Sequence, residues 1–346
     1  MWKVMGVGGQ RATRALCRGR RAASSTASAS SASSACGSPG RDETTRARRE
    51  GSGEMFQELV RFVERRNELV VVTGAGISTE SGIPDYRGPQ GAYSTGFKPV
   101  MHQKFVSCER TRKRYWGRSM VGWEKFARCR PNRAHLALSQ LESMGKVSGI
   151  VTQNVDRLHH LAGSKRVLEL HGTTHEVVCL NCTYRTTRKE FQEELERLNP
   201  ASGVCGAAGG RPPHTTFEGT PGLQRPDGDI EVEVEERFQV PVCPKCDARN
   251  EVGMLKPDVT FFGDNVPPWR HEMATSLVKS SDGMLIVGSS LMVFSAFRLA
   301  KLALDSGKGV AVLNMGETRI DDHDNLLKYE GPIGETMQRL QRSMIF

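Results

Sequence analysis

The chain has 346 residues, 38% hydrophobic and 25% charged, with a formal net charge of +9 and nine cysteines. That length holds one large or two moderate domains with a substantial core, and no apolar run approaches the ~18–20 residues that span a bilayer, so a membrane span is not expected. Residues 1–50 carry ten Lys/Arg against three Asp/Glu, leaving a balance of only +2 elsewhere, and no basic patch with interleaved aromatics points to nucleic acid.

The leader comes first. Lys3, Arg11, Arg14, Arg18, Arg20, Arg21 and Arg41 occur without a single acid, and an Ala/Ser tract runs from Ala22 to Ala35. Arg-rich, Ser-rich, acid-poor composition is that of a mitochondrial transit peptide, and the long apolar core of a secretory signal is missing. Residues 1–50 are therefore read as a leader removed before roughly Glu54, with a soluble matrix protein as the product; the plainer reading is a disordered tail. The catalytic domain is assigned to 54–346.

Met55 to Arg66 has apolar residues at helical spacing, and Leu69-Val70-Val71-Val72 reads as a buried strand. It runs into Gly74-Ala75-Gly76-Ile77-Ser78-Thr79-Glu80-Ser81-Gly82-Ile83-Pro84-Asp85-Tyr86-Arg87. Glycines let backbone N–H groups approach an anion, Ser78 and Thr79 are candidates to cap a following helix, and a helix N-terminus favours negative charge. A dinucleotide site is one reading and a plain strand-to-helix turn the other. The usual fingerprint is incomplete: Thr79 stands where Gly or Ala is expected, and the acid that would hold a ribose about 20 residues on is missing.

Further on, 148–152, 283–287 and 309–313 read as buried strands, and Ala134–Met144, Glu272–Lys279 and Ala296–Asp305 as helices between them. Strands alternating with helices predict an α/β fold with a Rossmann-like parallel sheet. Its parts are expected at 54–87, 131–172 and 255–340, interrupted by a helical insertion at 88–130 and a smaller zinc-binding lobe at 173–254. Cys179-x-x-Cys182 and Cys243-x-x-Cys246 are separated by 60 residues. Each knuckle places two thiolates on one side of a tight turn, so the four can close a tetrahedral zinc site with no spare position for chemistry. The Gly/Pro-rich stretch Ser202–Thr215 between them is expected to be a mobile surface excursion, because it holds too few apolar side chains to offset the entropy of ordering.

Polar residues end the second strand, Gln153-Asn154-Val155-Asp156, and a histidine stands in Leu168-Glu169-Leu170-His171-Gly172. Taken singly, the first reads equally as an Asn/Asp turn and the second as a structural histidine. Together with the string from Gly74 to Arg87, with Gly288-Ser289-Ser290-Leu291 and with Lys256–Asp264, they closely resemble the sirtuin family. The sequence Arg114-Tyr115-Trp116-Gly117-Arg118, with Gly122-Trp123, resembles its class II branch.

The resemblance implies NAD as a co-substrate and zinc as a structural ion. By the same resemblance, Gly74, Ala75, Gly76, Ser78, Gly82, Ile83, Pro84, Asp85, Tyr86 and Arg87 belong to the NAD site. So do Gln153, Asn154, Val155 and Asp156, of which Asn154 is implied to orient the ribose and Asp156 to meet nicotinamide. Gly288, Ser289 and Ser290 are implied to hold phosphate and ribose, and Asn314, Met315 and Gly316 the adenosine half. Ile333 is assigned beside the adenine although the expected cysteine is missing there. His171 is the implied general base, and one of Phe261 and Phe262 the wall of an acyl channel.

The implied reaction is NAD-dependent removal of an acyl group from protein lysine. The acyl oxygen attacks the ribose carbon as nicotinamide leaves, and His171 takes a ribose proton. Lipoyl, biotinyl and branched acyl groups, and mono-ADP-ribosylation, all fit this branch, with acylated mitochondrial proteins, metabolic dehydrogenases among them, as partners. A catalytically weak NAD-sensing scaffold and a Rossmann-type dehydrogenase stand as alternatives, the latter disfavoured by the incomplete fingerprint.

Overall fold

The computed structural model describes residues 41–200, 224–230, 234 and 236–345, with side chains from residue 53 onward. The transit-peptide composition before residue 41 and the Ser202–Thr215 stretch lie outside the described residues. The chain divides into two units, Met1–Arg48 and Arg49–Phe346, and the second holds both sheets and the site between them.

In chain order the elements begin with α1 (Arg41–Glu64), β1 (Leu69–Thr73), 3₁₀ turns at Ala75–Ser81 and Ala92–Thr95, α2 (His102–Ser107), α3 (Glu109–Ala127) and α4 (Arg133–Ser143). Then come β2 (Val147–Thr152), α5 (Leu158–Leu161), β3 (Val167–Glu169), β4 (Gly172–Cys179), β5 (Arg185–Thr187), α6 (Arg188–Leu198) and α7 (Pro244–Asp247). The last are β6 (Leu255–Val259), α8 (Pro268–Ser280), β7 (Gly283–Val287), α9 (Phe294–Asp305), β8 (Gly309–Leu313), β9 (Leu326–Tyr329) and α10 (Ile333–Ser343).

Six strands form one parallel sheet in the order β3-β2-β1-β7-β8-β9. The period of two along each strand splits the apolar runs between two cores. Leu69, Val71 and Leu285 pack with Leu59 of α1, Leu138 of α4 and Met337 of α10. Val70, Val72 and Ile286 pack on the other face with Val278 of α8 and Leu299 of α9. The expected strands and helices are found within a few residues, and the parallel sheet gains two short edge strands, β3 and β9, that the apolar runs do not announce. α1 begins at Arg41, upstream of the expected start, because its first turns are polar and an apolar period does not register them. The Gly309–Leu313 strand is not the last, since β9 pairs beside it.

A second, three-stranded antiparallel sheet has the order β5-β4-β6. It includes Leu255–Val259, so the small sheet reaches beyond the 254 boundary expected for the zinc lobe. Trp116 of α3 packs against Phe191 of α6 with the rings tilted and their centroids 4.4 Å apart, and donates its Nε1–H to Leu255 O at 3.0 Å. The helical insertion and the cysteine lobe thus share one core, with Phe105, Tyr115, Phe238, Phe261 and three of the cysteines in it.

Candidate active site

Strand order reverses between β1 and β7, and a ligand crevice forms outside the carboxyl ends of strands at such a point. Gly74 follows β1 and Gly288 follows β7, and their loops touch: Gly76 N–H donates to Gly288 O at 2.9 Å. A Cβ on Gly74 would lie 2.8 Å from Gly288 O, and one on Gly288 (φ +63°) only 2.4 Å from Ile77 N. Any side chain here would force the loops apart. The expected helix is not formed. A 3₁₀ turn occupies Ala75–Ser81 with no side-chain cap; Thr79 Oγ1 donates back to Gly76 O, and Ser78 turns inward to Asp156.

From this cradle a cavity of about 1410 Å³ extends toward the small sheet. Gly74, Ala75, Gly76, Asp85, Tyr86 and Arg87 line it from one side; Gln153, Asn154, Val155 and His171 form its floor. Gly288, Ser289, Ser290, Asn314, Met315 and Gly316 line the end beyond β7 and β8, and Phe261 and Phe262 the opposite end. Of the other residues implied for this site, Ser78, Gly82, Ile83, Pro84, Asp156 and Ile333 do not line the cavity. Ser78 and Asp156 stand one layer back: Ser78 Oγ donates to Asp156 Oδ2 at 2.7 Å and receives Asn154 Nδ2 at 3.1 Å. Ile83 packs against Val155, and Ile333 in the core against α1 and α4. The α10 N-terminus nevertheless touches the turn after β1, since Gly334 N–H donates to Glu80 Oε1 at 2.7 Å.

The loop after β2 is tied to both glycine loops. Gln153 Nε2 donates to Ser289 Oγ at 2.7 Å, and Asn154 Nδ2 to Gly74 O at 3.1 Å. Asp156 also accepts Leu158 N–H, and burial raises its carboxyl above the usual range. His171 sits between Gln153 O, 3.1 Å from Nδ1, and Ser295 Oγ, 2.7 Å from Nε2. A carbonyl only accepts, so Nδ1 carries the proton, and Nε2 is the bare nitrogen that receives the serine hydroxyl. Burial holds the ring's pKa down to about 4, so it is neutral near pH 7. Ser295 is not singled out by the sequence; its only signal is a polar residue at the start of α9, just after Gly288–Leu291.

At the far end Tyr86, Val100, Tyr115, Asp227 and Phe261 form an apolar slot with one carboxylate. Asp227 comes from the segment 224–230, a tight turn in which Arg225 N–H donates to Asp229 O at 2.8 Å. Gly122 of α3 is needed there, because a Cβ would lie 1.9 Å from Gly228 O. Burial pushes the carboxyls of Asp227 and Asp229 upward, and Arg118 and Arg225 pull against it. Its sequence signal, Pro226-Asp227-Gly228, says turn but not where the turn lands. Phe261 belongs to the small-sheet core, whereas Phe262 is 37% exposed at the mouth.

The four sulfurs of Cys179, Cys182, Cys243 and Cys246 all lie within 4.8 Å of one another. Cys179–Cys246 is 3.7 Å and Cys182–Cys243 3.5 Å, close to the about 3.8 Å edge of a tetrahedron with Zn–S bonds near 2.3 Å. Asn181 N–H donates to Cys179 Sγ at 3.3 Å, and Gly253 leaves room for the second knuckle, where a Cβ would meet Cys246 Sγ at 2.8 Å. The donor set fits one structural zinc.

Comparison with known proteins agrees with this geometry. Residues 74–295 match the profile of the Sir2 family. The NAD-dependent protein deacylase SRT2 of Arabidopsis thaliana is 48% identical, covering 83% of this chain and 76% of its own length. The NAD-dependent protein lipoamidase sirtuin-4, mitochondrial, of Bos taurus is 43% identical, covering 82% and 85%. A solved Sir2–p53 peptide–NAD+ complex superposes with a TM-score of 0.62 at 30% identity, covering 84% of this chain and 98% of the other.

Proposed function

Because this chain belongs to the Sir2 family, we infer that it is an NAD-dependent protein deacylase that removes acyl groups from lysine. The observation that carries the reading is His171: a neutral ring on the floor of the cavity, Nδ1–H fixed by Gln153 O and Nε2 left as the proton acceptor. A positioned base of this kind is worth about 10²–10⁴-fold. NAD supplies the electrophilic ribose carbon and the nicotinamide leaving group. Gly74, Gly76 and Gly288 give its phosphates close access to backbone. Asn154 orients the ribose in this reading, which its bonds to Gly74 O and Ser78 Oγ support. Ser295 has to release Nε2 before His171 takes a ribose hydroxyl proton. The acyl-lysine enters from the Phe261–Phe262 end, where the apolar slot excludes water. The four cysteines hold zinc, which stabilises the lobe behind that slot.

Finer assignments rest on similarity and composition. The Bos taurus relative's name supports lipoyl-lysine as one substrate, and biotinyl or branched acyl groups and mono-ADP-ribosylation belong to the same reading. The Arg- and Ser-rich leader and that relative's name support action in the mitochondrial matrix on acylated proteins, metabolic dehydrogenases included. An acyl-peptide library incubated with NAD and read by mass spectrometry tests the activity and the acyl class. Nicotinamide release with loss of one acyl class is the expected result, whereas NAD binding without turnover of any peptide would favour the scaffold reading.

A further inference from the structure

Behind the Asn154 loop lies a line of buried polar groups that take no part in the acyl-transfer chemistry. Asn132 caps α4, accepting Ala134 N–H at 2.9 Å, and its Nδ2 donates to Ile77 O at 2.7 Å and Ser81 Oγ at 3.0 Å in the nucleotide turn. Its own N–H donates to His135 Nδ1 at 3.4 Å. With Nδ1 accepting, the neutral His135 ring carries its proton on Nε2, which is buried and has no hydrogen-bond partner among the described residues. The ring of His159 lies 4.9 Å away, centroid to centroid, and its Nδ1 is likewise buried and unpartnered among the described residues. Thr73 Oγ1 gives its one hydrogen to Thr152 Oγ1, so His159 carries its proton on Nε2 and donates it to Thr73 Oγ1 at 2.9 Å. Thr73 donates onward to Thr152 Oγ1 at 2.8 Å, and that oxygen also receives Asn154 N–H at 3.1 Å.

We propose that His135, His159, Thr73 and Thr152 are positioning residues: His135 in the α4 cap packs its ring against His159, and a hydrogen-bonded run from His159 through Thr73 to Thr152 meets the Asn154 amide there, locking the nucleotide turn and the catalytic loop into one unit. None of the four lines the cavity, so none can touch a bound ligand directly. The line holds Asn154 from behind, and the Asn154 side chain then reaches Gly74 O and Ser78 Oγ in front.

The inference rests on the deacylase reading, and the test separates the two. Thr73→Val keeps the shape of a central strand residue and breaks the line. The turnover number for nicotinamide release should fall about tenfold, the usual consequence of leaving a buried partner unmade, while the KM for acyl-peptide and the zinc content stay at wild-type values. His159→Leu should fall similarly, and His159→Gln, whose amide can still donate to Thr73, should regain about threefold over it. The Thr73→Val/His159→Leu pair should lose no more than either single change, since both cut the same line. Wild-type turnover in Thr73→Val, equal losses in the Leu and Gln variants, or additive losses in the pair would overturn the proposal. If the wild-type chain itself releases no nicotinamide, the deacylase reading fails instead, and NAD affinity measured by calorimetry then decides: unchanged binding in Thr73→Val overturns the line.

Discussion

A buried histidine serves as a base only if it is unprotonated in the resting enzyme, and for His171 the Gln153 carbonyl and burial secure that, with Nε2 held by the Ser295 hydroxyl until substrate displaces it. Gln153 O fixes the proton on Nδ1, and burial with a smaller push from Arg270 lowers the pKa to about 4 from the ordinary 6.5. His171→Ala should leave NAD binding largely intact and lower deacylation by about 10²–10⁴-fold; full activity in that variant would remove His171 from the reaction. With His171 as the proposed base, the neutral ring is the active form, so activity should be lost as pH falls through the folded pKa. For the free enzyme, kcat/KM for NAD should stay level from about pH 7 to about pH 5 and decline only toward about 4. An acid limb centred near 6.5 would mean that the ring is not buried as described.

The elements differ in how much of their origin is local. β1, β7 and β8 are continuous apolar runs buried on both faces, and β2 is nearly so, which a sequence pattern exposes directly. β9, Leu326–Tyr329, is four residues with a lysine inside, and β3 has only three, too short to register a period. Cys179, Cys182, Cys243 and Cys246 are legible because knuckle spacing is itself the geometry. Ser295 and Asp227 are not, because each reaches the site only through a tertiary approach: α9 against the His171 turn between β3 and β4, and the 224–230 turn against Gly122. The 3₁₀ turn after β1 has the local signals of a helix start for the same reason, since Ser78 bonds Asp156 across the site and not its own backbone. The shared core of α3 and α6 is another tertiary outcome with a measurable consequence. Trp116→Ala removes a fully buried indole and its bond to Leu255 O, and should cost about 3–5 kcal/mol. Because Phe191 and three of the cysteines share that cluster, zinc should also leave faster to a chelator in this variant. Denaturant unfolding with a loss under about 1 kcal/mol would show that the two segments are independent.

At the scale of the molecule, two differently built bodies meet at one cavity. The parallel sheet has its own two cores and carries the glycine cradle, Asn154 and Asn314. The small sheet shares one core with α3, held together partly by four cysteines, and Tyr115 and Phe261 of that core line the far end of the cavity beside Asp227. Removing zinc should therefore not act evenly. Structural zinc contributes roughly 10–16 kcal/mol of apparent binding energy in small zinc modules, comparable to or larger than the ~5–15 kcal/mol that holds a whole domain folded. Without it, thiols packed 3.5 and 3.7 Å apart lose the ion that draws them together, and the Trp116–Phe191 cluster loses one wall. A chelator strong enough to strip one zinc per chain should abolish deacylation and shift the near-ultraviolet signal of Trp116, while most far-ultraviolet ellipticity from the parallel sheet and its helices persists. NAD affinity should fall less than activity, since the cradle at Gly74 and Gly288 belongs to the other body. Metal-free protein that keeps its activity and its melting temperature would show that the lobe stands without the ion.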